Sequence, residues 1–132
     1  MEEESVGISF LEHPSFTREI KKFNKKYDGG IGYKSLKKLL GLHFHPVNKQ
    51  IVFTPKVLRR IDRLGANIEA YKVTMRVKGL SSGQSPRMCL RFAGNLIVFL
   101  CFGTHIDNYK DCELRELVKQ RIRDLDPGVQ FD

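Results

Sequence analysis

The 132-residue chain has no tryptophan, three cysteines and no apolar run longer than the seven residues Leu96 to Phe102. A membrane-spanning helix takes about 20 apolar residues, so none is expected and a membrane partner is not foreseen. The opening Met1-Glu2-Glu3-Glu4 is acidic, where a secretory signal is basic and then apolar, so a cytoplasmic location is expected. Cys89, Cys101 and Cys112 form no CxxC pair, which argues against a disulfide framework; Cys89 and Cys101 lie in apolar segments and read as small buried side chains. Glycine and proline total 16 without any period, which excludes collagen-like and low-complexity chains. No GxxxxGK[ST] loop, GxGxxG turn, HExxH or GxSxG motif occurs. Nucleotide hydrolysis, dinucleotide chemistry and zinc hydrolysis are therefore disfavoured, and no cofactor is expected. His43-x-His45 lacks a third ligand at a useful spacing, so no metal is expected.

Acid is scarce where it would be needed to balance base. The net charge is +8, and residues 34 to 91 carry thirteen Lys and Arg against only Asp62 and Glu69. Such a field attracts phosphate backbones. Charge alone does not distinguish RNA, DNA, an anionic membrane or an acidic protein.

What is present reads as one domain, 1–132, of α+β class. Gly7 to Leu11 suggests a first strand. Phe16, Ile20, Phe23 and Tyr27 share one face of a helix opened by His13-Pro14-Ser15. A second helix is expected from Tyr33 to Leu40, stopped by Gly41. Thr54-Pro55 resembles a capped helix start, with Leu58, Ile61 and Leu64 inward and Lys56, Arg59, Arg60 and Arg63 outward. An extended helical insertion around 42–65 is thus expected. From Ile68 to Lys78 the period falls to two: Tyr71, Val73, Met75 and Val77 alternate with Lys72, Thr74, Arg76 and Lys78. Arg87 to Ala93 repeats the device, and Gly94-Asn95 signals a hairpin into the apolar run. Asp111 is placed to cap a last helix with Leu114, Leu117, Val118, Ile122 and Leu125 inward. The expected architecture is a mostly antiparallel four-stranded sheet packed against N-terminal helices and a C-terminal helix.

Pairing the two alternating strands would gather Lys72, Arg76, Lys78, Arg87 and Arg91 on one sheet face. Like charges across strands destabilise a sheet unless an anion compensates them, which points to an anion site. The apolar run then ends in Gly103-Thr104-His105-Ile106-Asp107-Asn108-Tyr109. There His105 could exchange protons, Asp107 orient it and Tyr109 stack on a base.

These segments resemble the RelE/ParE superfamily of type II toxin-antitoxin toxins. The resemblance rests on His13-Pro14-Ser15-Phe16 before a Lys-rich helix, Leu64-Gly65 before Tyr71 to Arg76, Arg87 before the apolar strand, and the His105-x-Asp107-x-Tyr109 ending, similar to the YafQ-like branch. It covers roughly residues 7 to 28 and 61 to 123. It implies a ribosome-dependent messenger endoribonuclease that inhibits translation, with ribosome, mRNA and a cognate antitoxin as partners. His105, Arg87 and Tyr109 would be catalytic, and Lys72, Arg76, Lys78 and Arg91 would hold RNA. Thr74 stands where a second Lys is usual, and Pro86 where a Gly precedes the central arginine. The alternatives are a ParE-type inhibitor of DNA gyrase, without RNase residues, and a non-catalytic RNA-binding domain.

Overall fold

A computed structural model describes residues 7–27, 30–48, 51–65, 67–81, 83–104 and 110–131. Strand β1 (Ser9–Glu12) leads into helix α1 (Pro14–Asn24) and helix α2 (Gly30–His43). Four strands follow, β2 (Leu58–Arg60), β3 (Glu69–Thr74), β4 (Arg87–Ala93) and β5 (Leu96–Gly103), and helix α3 (Asp111–Leu125) comes last. The strands form one sheet in the order β1-β5-β4-β3-β2.

The sheet has five strands rather than the expected four, and it is mixed: three of its pairings are antiparallel and one is parallel. β1 runs parallel to β5, with Ser9 opposite Leu96 and Glu12 opposite Phe99. The extra strand is β2, which lies where a helix was expected. Thr54 carbonyl accepts from the Val57 and Leu58 amides, both at 3.0 Å, so Pro55 sits inside a turn rather than at the first position of a helix. The chain then pairs with β3, Leu58 opposite Val73 and Arg60 opposite Tyr71. The three-residue spacing of Leu58, Ile61 and Leu64 fits a helix, but these side chains serve opposite faces of the sheet. Leu58 joins one core, Ile61 and Leu64 the other. Among the described residues between His43 and β3 there is no helix. α2 is longer than expected and runs through Gly41, which is buried within it; packing outweighs the weak helix propensity of glycine.

The alternation in β3 and β4 positions both faces. Tyr71, Val73, Met88, Leu90 and Phe92 point towards α1 and α2, where Phe16 packs on Phe99 at 5.3 Å between ring centroids. Replacing the fully buried Phe16 by Ala would cost about 3–5 kcal/mol. Ala70, Cys89, Val98, Leu100 and Cys101 face α3 through Leu114, Val118 and Ile122. The β3–β4 ladder ends at Thr74 opposite Arg87. Pro86 comes next and has no N–H, so only the Met75 amide continues, donating to Pro86 oxygen at 3.0 Å.

β5 holds a bulge: Cys89 lies opposite Cys101 but Leu90 opposite Phe99, which makes Leu100 the extra residue. β1 accompanies β5 only as far as Phe99. Beyond it, Arg121 donates to Leu100 oxygen at 2.8 Å, and the Phe102 amide donates to Glu19 at 3.0 Å. Arg121 and Glu19 close this arrangement with two bonds of 2.8 and 2.9 Å, joining α3 to α1.

At the start of α1 the buried His13 caps the helix. Its Nδ1 accepts from the Ser15 amide at 2.9 Å, which leaves Nε2 to donate to Asp124 at 2.9 Å. That bond holds the Asp124 carboxyl below its ordinary value.

Candidate nucleic-acid interface

The α3-facing side of β3 and β4 contains Lys72, Arg87 and Arg91, as the period of two requires. α3 covers the middle of that face, and the three cations fall into two separate settings.

At one end, Lys56, Arg59, Lys72 and Arg87 line a hollow of about 140 Å3 with Val57 and Thr74. No carboxylate among the described residues lines it. Arg59 lies directly opposite Lys72 across β2 and β3. Like charges in that position destabilise a strand pair by up to about 1 kcal/mol, and a bound anion removes that cost. Arg87 opens β4 opposite Thr74 on one side and Gly103 on the other. Its guanidinium donates to Ser85 oxygen, while the buried Ser85 hydroxyl donates to Ser81 oxygen at 2.9 Å. The arginine is thereby aimed before any ligand arrives. A second hollow of about 230 Å3 shares Arg59 and Lys72 and adds Arg60, Asp62 and Arg115 at the start of α3.

At the other end, Arg91 donates to Asp126 beyond α3 at 3.1 Å, and only 16% of its side chain is exposed. It belongs to the paired junction of sheet and helix, not to the open hollow. Arg76 and Lys78 lie past the end of β3. Both are exposed and line a different recess, between α2 and residues 52–57. Of the five cations expected on one face, then, Lys72 and Arg87 are together, Arg76 and Lys78 share a different recess, and Arg91 lies at the paired junction. His105, Asp107 and Tyr109 lie outside the described residues; they follow Gly103, the partner of Arg87.

Lys56 and Arg59 were not foreseen here, because the sequence assigned them to a helix. The signal that marks them is the run of four cations, Lys56, Arg59, Arg60 and Arg63, within eight residues.

The remaining chemistry-bearing groups are structural. The His43 ring packs edge-on against Phe44 and Phe53 at 4.9 and 5.4 Å, and burial pushes its pKa down. His45 accepts weakly from the Val47 amide. No group of three or more metal-ligating side chains occurs among the described residues. Tyr71 is pushed up to about 12 by burial and by its hydrogen bond to Glu69 at 2.9 Å. Contact with Cys101 and full burial raise the Cys89 thiol well above its ordinary value, which makes it a poor nucleophile. No described helix is long and apolar enough to cross a membrane.

Comparison with known proteins adds no relative: no family model matches the chain, and no curated protein and no solved structure matches it.

Proposed function

We propose that the protein is a messenger-cleaving endoribonuclease of the toxin type, acting on the ribosome and neutralised by a cognate antitoxin. The observation that carries this reading is the convergence of Lys56, Arg59, Lys72 and Arg87 in one hollow, lined by no carboxylate among the described residues, beside the end of β5. Several cations in one concavity match a phosphodiester backbone, with one negative charge shared by two oxygens at every step.

Cleavage by this route starts with attack of a ribose 2′-hydroxyl on the adjacent phosphorus. The 2′ proton goes to a base, negative charge builds on the phosphorane oxygens, and the 5′-oxygen of the next nucleotide leaves with a proton. In this reading Arg87 stabilises the phosphorane, helped by Lys72. Lys56 and Arg59 hold the flanking phosphates. His105 is the general acid or base, and Tyr109 stacks on or positions a base, both by resemblance to the RelE-type ending. Arg76 and Lys78 contact RNA outside the hollow. Arg91, engaged with Asp126, positions α3 rather than RNA.

The test is induced expression followed by mapping of messenger 5′ ends. New ends within translated codons, lost in His105→Ala and Arg87→Ala, are expected. DNA damage with intact messenger, persisting in His105→Ala, would replace this reading with gyrase inhibition.

A further inference from the structure

The recess beside the hollow has about 500 Å3, within the usual range for ligand sites. Its floor is apolar, formed by Leu36 and Leu39 of α2 with Val52, Phe53 and Val57, and Arg76 and Lys78 stand at its edge. Such a space between packed elements is normally filled by the chain's own side chains. Here Leu39 remains 44% exposed. α2 lies hard against the far wall: a Cβ at Gly32 would come within 2.6 Å of Arg76 oxygen. The recess is therefore held in shape by backbone packing.

Val57 and Thr74 line both the recess and the cationic hollow. Both spaces border on this rung, where the Thr74 amide donates to Val57 oxygen at 3.1 Å. Cations thus lie on both sides of this rung, and an apolar slot opens on one side of it. We propose that the recess receives an unstacked base of the same single-stranded RNA whose phosphates lie in the hollow. A polynucleotide supplies the matching alternation, because each residue joins a phosphate to a flat, largely apolar ring. Phe53 provides an aromatic surface for that ring, and the Ser35 and Thr54 hydroxyls are at hand for its polar edge. The inference rests on the RNA reading above and adds to it a base subsite across the Val57–Thr74 rung from Arg87.

The test compares a labelled decauridylate with a ten-residue abasic ribose-phosphate chain, which keeps the charges and lacks the bases. Wild-type protein is expected to prefer the decauridylate by about tenfold, the scale of one stacked base. Phe53→Ala removes the aromatic wall. Leu39→Gln changes a half-exposed floor residue and spares the core. Both should reduce the preference to under twofold while leaving affinity for the abasic chain unchanged. Lys72→Gln should weaken both probes alike and keep their ratio. A tenfold preference persisting in Phe53→Ala and Leu39→Gln, both folded by circular dichroism, overturns the base subsite and leaves the recess to an acidic protein segment; the RNA reading survives. Failure of wild-type protein to bind either probe at low salt defeats the RNA reading itself, and the subsite with it.

Discussion

Arg87 and Arg91 stand four residues apart on one strand and point to the same side of the sheet, yet their surroundings are opposite. Arg91 is nearly covered and meets Asp126, close to the junction where Asp124 meets His13 and Arg121 meets Glu19. Arg87 is held by a backbone carbonyl among further cations. The chain sets 15 acids against 23 bases, and Glu19, Asp124 and Asp126 stand where elements are joined. The end near residues 56–59 is left strongly positive. A cation bonded to a carboxylate across two elements joins them; cations gathered in one hollow repel one another, a cost that an anion arriving from outside removes.

The contrast breaks most visibly in catalysis. Arg87→Ala should lower messenger cleavage by about 10²-fold or more, through loss of charge stabilisation, with little change in thermal midpoint. Arg91→Ala should do the reverse, destabilising the protein while cleavage per folded molecule stays within about twofold. Equal losses of cleavage in both would erase the distinction.

Next in size is the paired junction. Glu19→Ala leaves Arg121 without its carboxylate and the Phe102 amide without its acceptor. Chemical denaturation should show a loss of about 2 kcal/mol, below the figure for a fully buried pair because Glu19 is 32% exposed. Affinity of the folded protein for RNA should not change.

Salt sharpens the comparison further. Lys72→Gln or Arg59→Gln should each reduce the slope of log affinity against log salt by about 0.7, one phosphate contact on a single strand. Arg91→Gln should leave the slope as it was.

The smallest effect concerns acid. The Asp124 carboxyl titrates below its ordinary 3.8 because His13 donates to it. Its contribution to stability is therefore full above that ordinary value and is lost as pH falls through the lower folded one. Melting curves between pH 5 and 2.5 should show a gentler decline in Asp124→Asn than in the wild type.

The sequence made the meander legible because a period of two, kept over Tyr71 to Thr74 and Arg87 to Phe92, has one physical meaning. It placed Lys72 and Arg87 together correctly. It carried too far at Arg76 and Lys78, where the alternation of buried Met75 and Val77 continues after Pro86 has ended the ladder. β2 was illegible for the opposite reason. Three residues hold too little pattern, Thr-Pro begins helices and turns alike, and Leu58, Ile61 and Leu64 imitate a helical stripe while facing two different cores. The parallel pairing of β1 with β5 joins segments more than eighty residues apart, and no local signal encodes it. The partners of Arg91 and Arg121 are hidden in the same way, 35 and 102 positions away.

The Glu19–Arg121 pair also decides what the sheet does to its neighbours. Among the described residues no strand lies beside the outer side of β5 past Phe99, and an unaccompanied strand offers its amides and carbonyls to any extended chain it meets. Here an amide and a carbonyl of that stretch are already occupied by a carboxylate and a guanidinium. The opposite border, β2, is three residues long and bears Arg59 and Arg60, a length and charge that discourage strand addition. The open end of β5 and the β2 border thus both resist strand addition by charge, which guards the almost wholly apolar β5 where it runs on beyond its neighbour β1.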